Sequence, residues 1–243
     1  MASAVTQSPT PPAEAQEQDR LLNVLAWLEI HRKHLMAGFF ALIAVFAAVY
    51  LWRHFEAEKE SAGNAALLQL RAKPGQPDTA PKAAEYLKVA EEHASTSAGP
   101  RARVLAAAAY FTESRYADAQ AEFARVLEAD RSGVLAAQAT YGIAASLDGQ
   151  DKTDEAAAKY QEVISTFPED SVAAQARLSL ARLYETRKQP ENALRLYDEV
   201  LRDRESNLFV QLATQAREEL TRKHPELVGT NAPAASIPAI PAK

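Results

Sequence analysis

Residues recur along this chain at a fixed interval of 37, and a period of that length specifies a stack of similar small units, not one closed domain. Phe123, Tyr160 and Tyr197 are one such set, as are Ala119, Ala156 and Ala193. Val126, Val163 and Val200 form another, and so do Leu127, Ile164 and Leu201. Upstream in each unit Ala107, Ala144 and Ala181 align, together with Tyr110, Leu147 and Tyr184. Within a unit the apolar positions fall three and four apart on both sides of a break, which predicts two amphipathic helices. In the first unit these are Arg101–Glu113 and Ala117–Ala129, around Ser114-Arg115-Tyr116. The equivalent breaks are at 147–151 and 186–190, and Pro168 closes the second helix of the middle unit. The fold class expected is all-α. Composition agrees, because alanine dominates while glycines number 8 and aromatic residues make up 7%, a balance suited to closely packed helices.

The alanine opening each second helix lies where the paired helices approach most closely, so a larger side chain there would force them apart. The aromatic four residues later shares its face and is placed to fill the gap between neighbouring units. Upstream the pattern fades: Leu70, Tyr86 and Val89 lie one period before Ala107, Phe123 and Val126. A helical extension and a degenerate unit are therefore expected over 53–99. The unit's first helix covers Glu56–Ala72, its second Ala80–Ala94, and Pro74, Gly75, Pro77 and Pro81 mark the turn. Three full repeats follow over 100–205. Residues 206–223 read as a capping helix, with Leu208, Phe209, Leu212, Ala213, Ala216 and Leu220 inward. The Ala/Pro-rich stretch 224–243 and the Ser/Pro/Gln-rich stretch 1–19 are expected to lack regular structure.

These residues resemble the tetratricopeptide repeat, which has a small residue and an aromatic in its first helix, then Tyr, Ala, aromatic and a late Pro around its second. The first unit shows Ala107, Tyr110, Tyr116, Ala119 and Phe123. The second shows Ala144, Ala156, Tyr160 and Pro168, and the third Ala181, Tyr184, Ala193 and Tyr197. The second unit departs at Leu147 and Thr153, no unit has the family's early Trp, and the period is longer than the usual ~34 residues. What the resemblance implies is a solenoid whose concave face is lined by the first helix of every unit. Its groove positions correspond to Arg101, Val104, Ala108 and Phe111; Gln138, Tyr141 and Ala145; and Gln175, Leu178 and Arg182. Such a mixture suits an extended peptide or a helix, although Val104 and Leu178 also suit the core between repeats.

From Leu35 to Trp52 the chain runs 18 residues without a charge. At ~1.5 Å per residue that is about 27 Å, close to the ~30 Å hydrocarbon core of a bilayer. Nine of those residues are Leu, Ile, Phe or Val, which favour insertion by about 3–5 kcal/mol in total. Tyr50 and Trp52 stand at one end, where interfacial aromatics belong, and His31, Arg32, Lys33 and His34 at the other. The following Trp52-Arg53-His54-Phe55-Glu56 offers no small-residue cleavage site, so an uncleaved signal anchor is expected, contacting lipid through 35–52. Residues 20–34, crowded with Leu21, Leu22, Val24, Leu25, Trp27, Leu28 and Ile30, read as an amphipathic juxtamembrane helix. Arg20, Arg32 and Lys33 before the run against Arg53 and Lys59 after it place the N-terminus in the cytoplasm.

Little here suggests catalysis. The five histidines have no metal-ligand spacing with an acidic partner, and the eight glycines build no phosphate loop. There is no Gly-x-Ser-x-Gly elbow, and carboxylate pairs such as Glu91/Glu92 and Glu218/Glu219 fall on solvated helix faces. The absence of cysteine excludes disulfides, thiolate metal sites and a lipid-bearing N-terminal Cys. A net charge of −5 with no basic run argues against nucleic acid, and no cofactor or small-molecule substrate is expected.

The whole arrangement, with weaker similarity around Trp27–Trp52, resembles the YfgM-type ancillary subunits of the bacterial Sec translocon. That resemblance implies a non-enzymatic inner-membrane protein with its repeats in the periplasm, whose partners are translocon subunits, periplasmic chaperones or exported polypeptides. The alternative expectation is a scaffold for cell-envelope assembly or division.

Overall fold

The computed structural model describes residues 13–71, 82–202 and 207–227, and the described residues form helices without a strand. The chain divides at Glu58 into two units.

In the first unit the described residues belong to helix α1 (Ala13–Arg71). Within it Gly38 and Gly63 stand alone and are tolerated. Residues 13–19, expected without regular structure, are therefore helical, and no break separates 20–34 from 35–52. Among the described residues one helical stretch, Met36–Leu70, is long and apolar enough to cross a membrane. Its side chains from Met36 to Phe55 are exposed, Phe46 at 69% and Trp52 at 65%.

The second unit comprises the end of α1 and helices α2 (Ala83–Glu92), α3 (Ala98–Thr112), α4 (Tyr116–Ala129), α5 (Ala136–Gly149), α6 (Thr153–Thr166), α7 (Ser171–Thr186), α8 (Pro190–Arg202) and α9 (Asn207–Lys223). Each packs on the next from α2 to α9, and α3 with α5 and α5 with α7 also touch, as in a two-layer stack of helix pairs. The positions spaced 37 apart form the interior. Ala107, Ala119, Ala144, Ala156, Ala181 and Ala193 are fully buried, and Phe123, Tyr160 and Tyr197 are buried with them. Across α3 and α4, the buried Glu122 is held by Arg103 at 2.7 Å and by Arg125. Arg217 on α9 meets Asp198 on α8 at 2.6 Å.

The turn inside each helix pair repeats to the atom. Ser114, Asp151 and Lys188 have φ of 59°, 60° and 57°, so three non-glycine residues 37 apart take the left-handed conformation. The following amides of Arg115, Lys152 and Gln189 donate to the carbonyls of Tyr110, Leu147 and Tyr184 at 2.9, 3.0 and 2.9 Å. The left-handed residues' own amides donate to Phe111, Asp148 and Glu185 at 3.0, 2.9 and 2.9 Å. This double bond pattern is the Schellman motif, which satisfies the last carbonyls of the first helix and reverses the chain. The second helix of the middle pair stops as expected before Pro168, and Asp170 caps the next, its carboxylate accepting from the Val172 amide at 2.9 Å.

Several features differ from expectation. Leu147, Asp148 and Gly149 remain inside α5, because the reversal is made at Asp151 and not at Gly149. Gly149 has another use: a Cβ there would come within 2.7 Å of the Tyr116 ring. The degenerate unit's second helix is Ala83–Glu92, shorter at both ends than Ala80–Ala94, and its expected proline turn lies outside the described residues. On α9, Ala213 and Leu220 are buried and Phe209 and Ala216 half-buried, but Leu208 and Leu212 are exposed, since among the described residues α9 packs mainly on α7, α8 and the 225–227 turn. Finally, Pro225–Leu227 forms a short 3-10 turn with Leu227 buried, where no structure was expected; 228–243 lie outside the described residues.

Candidate functional site

Positions 101, 104 and 108 of α3 lie three and seven residues apart and so share one helix face; their equivalents on α5 and α7 follow from the repeat. Of the ten residues expected to line a groove, six meet around one cavity of about 390 Å³: Ala108, Phe111, Gln138, Tyr141, Ala145 and Gln175. A second cavity of about 680 Å³ is bordered by Arg101, Val104 and Gln138 with Asn64, Leu67 and Leu68 of α1. Gln138 borders both, so one groove runs across the first helices of successive pairs.

Leu178 and Arg182 line neither cavity. Leu178 at 4% exposure is core, and Val104 at 5% belongs to the core cluster while bordering the second cavity. The register shared by Val104, Tyr141 and Leu178 sits at the rim of the interior. A short branched side chain there is swallowed, whereas Tyr141 reaches out, its hydroxyl 3.0 Å from the Ser179 hydroxyl. Arg182 is exposed on the face it shares with Ala108 and Ala145.

The cavity exists because of Gly142, whose place in the groove was not anticipated. Phe123, from the second helix layer, presses its ring into that position so closely that a Cβ would meet it at 2.5 Å. With Ala108 and Ala145 also small, a notch remains between α3 and α5, backed by Phe123 and flanked by Phe111 and Tyr141. Thr112, Val172, Leu105 and Leu135 complete the walls and were likewise missed. A sign of the notch was present in the sequence, since glycine stands at 142 where the flanking units carry Leu105 and Ser179.

Around the groove the ionisable groups are subdued. Burial pushes the Tyr160 hydroxyl well above the ordinary tyrosine range, reinforced by Tyr141 and Asp148. Tyr197 is raised chiefly by burial and then by donating to Glu185 at 2.5 Å. Asp148 is raised by burial and by the nearby Asp151. Two buried tyrosines held protonated are structural groups and offer no nucleophile. Among the described residues no group of three or more His, Cys, Asp or Glu is placed to hold a metal ion.

The family model for the tetratricopeptide repeat-like domain matches residues 26–158, more than half of the chain. The chain belongs to the tetratricopeptide repeat-like family. A second tetratricopeptide repeat model matches 142–207, so together the matches extend from α1 through α8. No curated protein matches the sequence. Among solved structures, the apo form of RapI aligns with a TM-score of 0.52 at 10% identity, covering 70% of this chain and 65% of RapI. Kinesin-light-chain-like, nearly identical TPR-like repeats from Podosopora anserina align with a TM-score of 0.51 at 15% identity, covering 71% of this chain and 91% of theirs. At such identities the likeness shows the fold alone. Tetratricopeptide repeats are protein-interaction modules, and their presence points to protein partners for this chain.

Proposed function

We propose that this protein is a membrane-anchored, non-enzymatic interaction module that receives extended polypeptide in the groove across α3, α5 and α7. It serves as an ancillary subunit of the bacterial Sec translocon, working with periplasmic chaperones on exported chains. The observation that carries the proposal is the groove itself: an apolar notch beside amide side chains, which offers grip to side chains and hydrogen bonds to a main chain. The exposed apolar run from Met36 to Trp52 supports an anchor in the inner membrane, and the three-to-two excess of Lys and Arg before it supports a cytoplasmic N-terminus with periplasmic repeats. The translocon assignment rests on the resemblance in architecture to the YfgM-type subunits. Photo-crosslinking in intact membranes from Tyr141 and Gln175, with mass spectrometry of the adducts, tests it. Translocon subunits, periplasmic chaperones or exported chains are expected. Envelope-assembly or division proteins would replace this reading with a scaffold, and cytosolic adducts alone would overturn both orientation and function.

A further inference from the structure

Glu60, Ser97, Val134, Ser171 and Leu208 are successive members of one register of the 37-residue period. Glu60 accepts from the Ser97 amide at 2.8 Å and from its hydroxyl at 2.7 Å, and Asn64 and Leu67 border one cavity with Arg101 and Val104. The end of α1 therefore runs parallel to α3, in register with it. Tyr141 bonded to Ser179 carries the same arrangement from α5 to α7. The first helices thus begin at one edge of the stack, among the inter-repeat loops, and end at the Schellman turns of the other edge. A first helix such as α5 (Ala136–Gly149) separates the two edges by about 21 Å.

The two edges present different chemistry. The Schellman edge shows exposed polar residues, among them Glu113, Arg115, Asp151, Lys152 and Lys188. The loop edge shows apolar ones. Among the described residues of the second unit the exposed large apolar side chains are Leu68, Val134, Leu208 and Leu212, and two of these four stand on the edge register. Val134, at 97%, is the most exposed large apolar side chain of the described residues, and Leu208 is at 64%. Its loop is tied, not slack: the Asp130 carboxylate accepts from the Ser132 amide at 3.1 Å, and the Gly133 carbonyl accepts from the Ala136 amide at 2.9 Å. The loop between these two carries the half-buried Phe167 and the exposed Pro168. Two helix spacings put Val134 and Leu208 roughly 16–20 Å apart, so they make a row along the edge and not one cluster.

What covers such a row follows from where the chain enters. The second unit begins at the same edge, at Glu60, and eight residues separate Trp52, the last of the uncharged apolar run, from Glu60. Eight residues are about 12 Å of helix, against the ~5–7 Å of headgroup layer that flanks the hydrocarbon on each side. The carboxylates of Glu128, Asp130, Glu169 and Asp170 share this edge with Arg131, which disfavours anionic headgroups. Resting on the membrane anchor of the proposed function, we infer that the loop edge of the repeats docks on the bilayer surface, with Val134 and Leu208 entering the interface of zwitterionic lipid. Shallow burial of separate apolar side chains is the way interfacial elements hold to a membrane. An anchor alone leaves the repeats free to turn, whereas an anchor with an edge contact fixes which face a partner meets.

The test uses the full chain, which has no cysteine, reconstituted in phosphatidylcholine nanodiscs. Single cysteines at Val134, Ser171 and Leu208 on the loop edge, and at Asp151 and Lys188 on the other, carry a fluorophore quenched by headgroup nitroxide lipids. A cysteine at Phe46, read with acyl-chain nitroxides, reports the anchor. Quenching at 134, 171 and 208 should exceed that at 151 and 188 several-fold. Val134→Asp with Leu208→Asp, both at exposed positions, should lower the quenching at 171 to the level of 151 and leave the melting curve unchanged. Equal quenching at the two edges, stronger quenching at 151 and 188, or a signal at 171 indifferent to the double substitution overturns the inference. If Phe46 is quenched in those cases, the anchor reading survives; an unquenched Phe46 overturns both. Edge quenching that appears with phosphatidylglycerol and not with phosphatidylcholine also overturns the inference, since the contact would then rest on charge.

Discussion

Helix α7 and the run from Met36 to Phe55 are both rich in large apolar residues, and they treat them in opposite ways. In α7, Leu178, Leu180 and Leu183 are all buried, because α6 lies on one side and α8 on the other. In the N-terminal run Phe39, Phe46 and Trp52 are all more than half exposed, and apolar residues occupy every face of the helix. A helix with an apolar stripe finds its partner in the next helix; a helix apolar all round needs a solvent that is itself apolar. The repeats therefore carry their own interior, while the N-terminal run lies on a helix long and apolar enough to span a membrane, and the features left over on the repeats are those available to a partner.

The largest expected effect attacks the interior. Tyr160→Ala should destabilise the repeat unit by about 3–5 kcal/mol through loss of a fully buried aromatic, read by denaturant unfolding of the full chain in detergent. Phe46→Arg should leave that unfolding transition untouched. It should remove about 3 kcal/mol of insertion free energy, most of what the run supplies, and shift the protein from carbonate-resistant membranes to the soluble fraction. If instead Phe46→Arg lowered the repeat unit's stability, the two regions would not be separate systems. Ala156→Leu, at zero exposure between paired helices, should cost about 1–3 kcal/mol by overpacking, and an unchanged melting temperature would mean the helix register is wrong.

Alkaline pH gives a related test. Tyr160 and Tyr197 have folded-state pKa values raised above their unfolded value near 10, so their stabilising contribution is complete below that pH. It is lost as pH rises from about 10 through the raised values, because the unfolded chain ionises first. Replacing both by Phe should flatten the decline in stability above pH ~10. The smallest effect has the opposite sign. Lys188→Gly should stabilise by up to about 1 kcal/mol, since glycine takes the left-handed conformation without the Cβ clash. Ser114 and Asp151 should respond alike, and a loss at all three would contradict the Schellman assignment.

Much of the repeat unit was legible because period and burial are the same fact seen twice: Ala119, Ala156 and Ala193 recur since each sits at a helix contact that admits only a methyl group. The turns were less legible. Residues 114, 151 and 188 are Ser, Asp and Lys, not glycine, so their shared left-handed backbone leaves no composition signal. In the groove, helical spacing brought Ala108, Gln138 and Gln175 to one cavity and Arg101 to the next, but carried no measure of how deep that face begins. Val104 and Leu178 sit where a few ångströms of side-chain length decide between core and surface, and spacing carries no depth. Gly142 escaped notice because its role depends on Phe123, a residue of another helix layer.

A chain without cysteine allows a direct measurement of which face is the working one. Gln138→Cys and Gln175→Cys place single thiols in the groove, while Ala121→Cys and Ala158→Cys place them on exposed positions of the second-helix layer, again one period apart. Labelling by a thiol reagent in native membranes, with and without a saturating extended peptide that carries a central Leu, reads their accessibility. The account predicts slower labelling at 138 and 175 when peptide is present and no change at 121 and 158. Equal protection at all four positions, or protection at 121 and 158 alone, would contradict it.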